Sequence, residues 1–270
     1  YLHIFDGIAS SAVGMLDTFD ARHLSNLIYS YGLVKHNPDV GGETLFNILG
    51  QAASKILHTF NSQDISNMLW AFVNVDAKNS RLFQETGEVL SRTDLGSFES
   101  QHLSNILWSF AKSGEADPEL FQAVGNHIVA RSLDDFRPQH LSNIVWSYTT
   151  AKVPNPDLFK KIGDHIAALK CLDLFKPQAL SNTAWAFATA AVLHPGLFKK
   201  IGDHVGGLKS LELFKPQELS NTVWAFATAG VSHPNLFNKI GNHIASFGSV
   251  DPFSPQEMSN TAWAFATSRW

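Results

Sequence analysis

The sequence of 270 residues carries 20 Lys and Arg against 24 Asp and Glu, a formal net charge of −4, and 44% of its residues are hydrophobic. This composition supports a buried core, whereas no run of about 18 apolar residues is present to span a membrane. The single cysteine, Cys171, excludes a disulfide within one chain. The chain opens without methionine and ends inside a repeated phrase, so we expect a fragment of a longer protein.

One phrase recurs along the whole chain. Its Ser-Asn pair is the clearest marker, and successive asparagines are separated by 41, 38, 38, 39, 39 and 39 residues. They are Asn26, Asn67, Asn105, Asn143, Asn182, Asn221 and Asn260. Residues 158–196 and 197–235 are identical at 29 of 39 positions. A fixed period of this length indicates a helical repeat array.

Each repeat is predicted to contain two helices, A and B. In the repeat that begins at Phe214, Pro216 suits the first turn of helix A, which ends near Gly230. After His233 and Pro234 interrupt the chain, helix B continues with helical spacing. The residues expected in the core are Leu219, Val223, Phe226 and Ala227 of helix A, and Leu236, Phe237, Ile240, His243 and Ile244 of helix B.

One such hairpin cannot cover its own apolar faces, so the hairpins are expected to stack. The sequence therefore predicts an all-α fold, an α-solenoid or right-handed superhelix of about seven helix-turn-helix repeats of 38–39 residues. We expect residues 1–270 to form one domain without a β-sheet.

Helix A also carries polar residues and a tryptophan. The arc left free by the core is predicted to hold Gln217, Glu218, Asn221, Ala225 and Thr228. Tryptophan recurs beside small residues in six repeats, which indicates a large side chain that fills a gap between stacked helices. Trp185 and Trp224 are therefore expected to be buried, although an aromatic face could instead stack on a nucleic-acid base.

The phrase F-x-P-Q-x-L-S-N-x-x-W-A-F-A resembles the octotricopeptide repeat, which is known from algal organellar gene-expression factors. The resemblance covers essentially the whole chain and is specific in Gln178, Ser181, Asn182, Trp185 and their counterparts. The first repeat departs most, because Arg and Tyr replace its Gln and Trp. The resemblance implies a helical array that binds single-stranded RNA and assists maturation, stabilisation or translation of chloroplast or mitochondrial transcripts.

A repeat array that reads RNA needs constant residues that shape a groove and varied residues that select bases. The repeated asparagine suits a constant contact or a tie between adjacent helices, whereas the position before the repeated leucine varies and suits base selection. Lysines that precede helix A lie near a helix N-terminus, which favours phosphate. The predicted RNA-binding residues are His102, Asn105, His140, Asn143, Lys176, Ala179, Asn182, Lys215, Glu218, Asn221, Glu257 and Asn260.

Charge divides the chain unevenly. Residues 1–135 hold 8 Lys and Arg against 16 Asp and Glu, whereas residues 136–270 hold 12 against 8. RNA is therefore expected on the second half, while paired lysines on helix B, such as Lys160 and Lys199, are expected on a solvated outer face. The acidic first half leaves open an alternative, a protein-binding scaffold or an assembly subunit of an organellar complex.

Motifs for catalysis are not found in the sequence. It contains no P-loop, no dinucleotide-binding glycine motif, no nucleophile elbow and no metal-ligand motif. The helix B histidines recur once per repeat, and this spacing is too wide for them to share one metal ion. We therefore expect a protein that is not an enzyme, without cofactor, metal or small-molecule substrate.

Overall fold

A computed structural model describes residues 2–247 and 253–268, which contain fourteen α-helices. The A helices are α2 (Ala21–Val34), α4 (Ser62–Asn74), α6 (Ser100–Ser113), α8 (Pro138–Ala151), α10 (Pro177–Thr189), α12 (Pro216–Thr228) and α14 (Pro255–Thr267). The B helices are α1 (Leu2–Val13), α3 (Leu45–Ile56), α5 (Ser80–Ser91), α7 (Pro118–Ala130), α9 (Pro156–Ala168), α11 (Pro195–Gly207) and α13 (Pro234–Ala245). The predicted alternation of two helices per repeat is confirmed.

The contacts divide the chain into two compact units, Tyr1–His127 and Ile128–Trp270. In the first unit, α4 packs between α2 and α6, and α3 packs between α1 and α5. In the second unit, α8, α10, α12 and α14 pack in sequence, and α11 packs between α9 and α13. Each unit is thus a layer of A helices against a layer of B helices, which confirms the predicted α-solenoid packing. A single domain and a right-handed array stay predictions.

The expectation of no β-sheet is wrong at one point. Strands β1 (Asp39–Val40) and β2 (Glu43–Thr44) form an antiparallel hairpin in the long loop of the first repeat. Gly41 and Gly42 form its turn with φ angles of 69° and 92°, which a two-residue hairpin turn requires and glycine adopts at little cost. The Val-Gly-Gly-Glu sequence was the signal for this hairpin, and the 41-residue interval marks the added length.

Aromatic pairs join the two layers. Phe198 of α11 and Phe226 of α12 meet edge to face with centroids 5.1 Å apart, and Phe159 and Phe187 do so at 4.9 Å in the preceding repeat. Such a pair contributes about 0.5–1.5 kcal/mol beyond its buried area. The predicted core is confirmed at Leu219, Val223, Phe226, Leu236, Phe237 and Ile240, whereas Ala227, His243 and Ile244 are half-buried.

None of the helices that the structure describes combines the length and the apolar character that crossing a bilayer requires.

Candidate nucleic-acid interface

Four side chains of each A helix in the second unit face solvent along one line. In α12 they are Gln217, Asn221, Trp224 and Thr228, of which Gln217 and Thr228 are exposed and the other two are half-buried. Steps of four, three and four residues keep them on one face of the helix. We call this set the helix A stripe. Its counterparts are Gln139, Asn143, Trp146 and Thr150 in α8, and Gln178, Asn182, Trp185 and Thr189 in α10.

The polar arc of helix A is narrower than the sequence predicted. Glu218 is 9% exposed and Ala225 is completely buried, although both were expected on the free arc. The reason is that α12 packs against α10 on one flank and α14 on the other. The stripe is the part of the helix that these neighbours leave uncovered.

The tryptophans are less buried than expected. Trp185 and Trp224 are half-buried, and Trp263 of α14 is 45% exposed. The prediction that Trp185 and Trp224 are buried between repeats is therefore only partly correct. In the first unit, the ring of Trp70 lies 5.4 Å from that of Tyr29, its counterpart on the preceding A helix. A ring held by a neighbour on one side and open on the other can still stack on a base.

The repeated asparagines divide between packing and exposure. In six repeats the residue is half-buried, and Asn26 in the first repeat is exposed. Asn105 donates a hydrogen bond from Nδ2 to Oγ of Ser66 on the preceding A helix, at 3.4 Å. This contact is the predicted tie between adjacent helices, while the stripe leaves part of each half-buried amide accessible.

The varied residue before the leucine caps its own helix wherever it is His, Asp or Glu. Oε2 of Glu218 accepts a hydrogen bond from the backbone N–H of Lys215 at 2.8 Å, and Glu257 accepts one from Ser254 at 2.7 Å. In α8, Nδ1 of His140 lies 3.3 Å from the backbone nitrogen of Arg137. These side chains satisfy donors that the first helical turn leaves unpaired. The placement of Glu218 on a free arc is therefore wrong, and base selection by this position stays a prediction.

Burial favours the neutral form of two capping histidines. Desolvation lowers the pKa of His102 and of His140 below the ordinary value, and the positive charge of Arg137 lowers the pKa of His140 further. A neutral imidazole keeps one nitrogen free to accept the backbone hydrogen bond of the cap.

Cations precede three of the four A helices that the structure describes in the second unit. Arg137, Lys176 and Lys215 are the N-cap residues of α8, α10 and α12, and all three are exposed. A proline follows each one in the first turn. The predicted position of these cations at a helix N-terminus is confirmed, and the helix dipole adds to their attraction for anions.

A groove of about 490 Å³ opens between the first turns of α8 and α10. It is lined by Arg137, Gln139, Ser142 and Asn143 on one side, and by Leu174, Lys176, Gln178, Ala179 and Asn182 on the other. The groove brings together four predicted RNA-binding residues, namely Asn143, Lys176, Ala179 and Asn182. The others belong to different positions: His102 and Asn105 in α6, His140 at the α8 cap, Lys215, Glu218 and Asn221 at α12, and Glu257 and Asn260 in α14.

The helix B lysines are engaged in contacts within their layer. Lys160 pairs with Asp164 at 2.7 Å, which lowers the pKa of that carboxyl. Lys161 donates to the carbonyl of Val129 at 2.6 Å, and Lys200 donates to that of Lys170 at 3.2 Å, so each ties its helix to the end of the preceding helix B. Lys160 is exposed, as expected of a solvated face, whereas Lys161 and Lys200 are half-buried and support the stack.

Two features of the interface were not predicted as RNA-binding residues. The glutamine of the stripe recurs in six repeats without a place in the core, and this constancy was its signal. Leu174, 84% exposed at the edge of the groove, carries no signal, because only the fold shows that it stands outside the core.

Layers of stacked helical hairpins with one exposed stripe per repeat define a helical-repeat protein. The chain belongs to the family described as RNA-editing substrate-binding complex 6 protein (RESC6), whose model matches residues 43–234. It is also 29% identical over 77 residues to a chloroplastic RAP domain-containing protein of Oryza sativa subsp. japonica. That match covers 28% of this chain and 11% of the relative, so the chain spans a small part of that protein's length.

Proposed function

We propose that this protein binds single-stranded RNA along the helix A stripes of its second unit. The observation that carries the proposal is the recurrence of Gln, Asn and a half-open Trp on one face of α8, α10 and α12, with a cation at the start of each helix. Stacking of a base on an aromatic ring contributes about 1–3 kcal/mol. Amides supply hydrogen bonds to base edges, and the cations supply contacts to phosphate.

The biological setting that we propose is organelle gene expression. The family description names an RNA-editing substrate-binding complex, and the rice relative is named as chloroplastic. These names support maturation, stabilisation or translation of transcripts in a chloroplast or a mitochondrion. We further propose that the repeats are of the octotricopeptide type, that binding is sequence-selective, and that the protein acts as a non-catalytic adaptor.

Fluorescence anisotropy with a random single-stranded RNA and a matched duplex tests this function. The double variant Gln178→Ala/Gln217→Ala removes two stripe amides and should weaken single-strand binding about tenfold, because each lost hydrogen bond costs about 0.5–1.5 kcal/mol. The control, Gln84→Ala/Gln122→Ala, removes two exposed amides of B helices and should bind as the wild type does. Equal loss in both variants would argue against the stripe.

A second candidate function is a protein-binding scaffold, and the charge of the first unit favours it. Residues 1–127 hold 7 Lys and Arg against 14 Asp and Glu, a net charge of −7 that repels a polyanion. If the wild type binds no RNA at low salt, the scaffold becomes the better account.

A further inference from the structure

Helix α10 begins differently from the other A helices that the structure describes. Its third residue is Ala179, whereas the equivalent residues of α2, α4, α6, α8, α12 and α14 are His, Asp or Glu and reach back to the N-cap residue. A methyl group cannot make that contact. The backbone N–H of Lys176, the N-cap residue of α10, therefore lacks the side-chain acceptor that the equivalent N–H groups of the other A helices have.

The short side chain of Ala179 also affects the groove beside it. Ala179 lines the groove between α8 and α10, together with Arg137 and Lys176. The residue of α4 that is equivalent to Ala179 is Asp64, and its carboxylate accepts a hydrogen bond from the hydroxyl of Ser25 in α2 at 2.5 Å. The serine equivalent to Ser25 here is Ser142.

The hydroxyl of Ser142 indicates that the groove can hold a hydrogen-bond acceptor. The residue is 1% exposed, it lines the groove, and its hydroxyl has no hydrogen-bond partner. A buried hydroxyl without a partner is costly, and a ligand oxygen would remove that cost. The groove thus combines a guanidinium, an ammonium, a helix N-terminus and an unpaired hydroxyl, all of which are hydrogen-bond donors suited to an anion.

We propose that the groove between α8 and α10 binds a phosphate group, one phosphodiester of the bound RNA. This inference rests on the proposed function, because RNA is the source of the phosphate. Ala179 creates the site by leaving the start of α10 uncapped, so the varied position before the leucine determines where along the array a phosphate is held. Binding there fixes the backbone of the RNA relative to the stripes of α8 and α10.

The variant Ala179→Gln tests the site without adding charge. A glutamine at this position can cap α10 as Glu218 caps α12, and it fills the groove. Thermal unfolding should occur at the same temperature as in the wild type or higher. Affinity for single-stranded RNA should fall about tenfold, since charge-assisted hydrogen bonds are lost. The slope of log affinity against log salt should become shallower by about 0.7, the value for one phosphate on a single strand.

The control is Ala190→Gln, the same substitution at the exposed C-terminal end of α10. It should leave affinity and salt slope unchanged. If Ala179→Gln binds RNA with wild-type affinity and slope, the phosphate site is overturned while RNA binding stands. If the wild type binds no RNA, the proposed function fails. Titration with inorganic phosphate then tests whether the groove binds an anion. If phosphate raises the unfolding temperature of the wild type but not of Ala179→Gln, the groove is an anion site and its assignment to RNA is overturned. If phosphate protects the two proteins equally, the anion site and its assignment to RNA are both overturned.

Discussion

Gly163 of α9 lies against the N-cap residue of the next helix B, His194. A Cβ atom at Gly163 would stand 2.5 Å from Cδ2 of His194, whose Nδ1 caps α11 by accepting from the N–H of Leu197 at 3.0 Å. The same relation joins Gly50 to Asn79, Gly87 to Asp117, and Gly202 to His233. In α3, α5, α9 and α11, one glycine thus makes room for the cap of the following helix B.

Gly163→Ala is expected to lower the free energy of unfolding by about 1–3 kcal/mol, as overpacked cores do. His194→Ser, which keeps a capping oxygen and removes the ring, should restore most of that loss in the double variant. Gly207→Ala is the control, because a Cβ atom there meets nothing within 4 Å and alanine favours the helix. Urea unfolding measures all four proteins, and a double variant no more stable than Gly163→Ala would refute the steric account.

The capping histidine of α8 makes stability depend on pH. Since burial lowers the pKa of His140 in the folded state, the unfolded chain binds more protons in mild acid. The contribution of His140 is therefore complete above the unfolded pKa of about 6.5 and is lost as pH falls through the lower folded value. Between about pH 7.5 and about pH 5, His140→Gln should lose less unfolding free energy than the wild type, because glutamine caps without titrating.

Exposed His58 provides the control for this prediction. His58→Gln should keep the pH dependence of the wild type, and an equal pH dependence in His140→Gln would show that His140 does not carry the effect.

The varied residue before the leucine affects the stability of the protein through the cap that it forms on its own helix. Glu218→Ala should cost about 0.5–2 kcal/mol, the usual effect of losing a cap, whereas Glu218→Gln should cost less because an amide oxygen can still accept from Lys215. Denaturant unfolding of the two variants gives both values. Equal stability of Glu218→Ala and the wild type would mean that the capping bond contributes nothing.

The sequence predicted the helices better than the side-chain roles. The repeat period and Pro216 located helix A correctly, because periodicity and proline act within a few residues. The cap formed by Glu218 was not predicted, because its helical position is equally consistent with an exposed side chain. The close approach at Gly163 was not predicted, because it depends on a residue 31 positions away. The partial exposure of Trp224 was not predicted, because one sequence does not show which faces of a helix its neighbours cover.

The two units carry net charges of opposite sign. Residues 128–270 hold 13 Lys and Arg against 10 Asp and Glu, a net charge of +3, while residues 1–127 carry −7. Phosphate neutralisation supplies much of the affinity of nucleic-acid binding. Several helix B lysines are held by Asp164, Asp203 or backbone carbonyls, whereas Arg137, Lys176 and Lys215 at the starts of A helices are exposed.

We propose that RNA lies on the A layer of the second unit. Photo-cross-linking of single-stranded RNA to the intact chain, followed by mass spectrometry of the linked peptides, identifies the helices that contact the RNA. We predict cross-links in α8, α10 and α12, with Trp185 and Trp224 among the linked residues, and fewer links when Lys176 is replaced by Ala. Cross-links confined to the B helices, or no more links than with a matched duplex, would contradict the account.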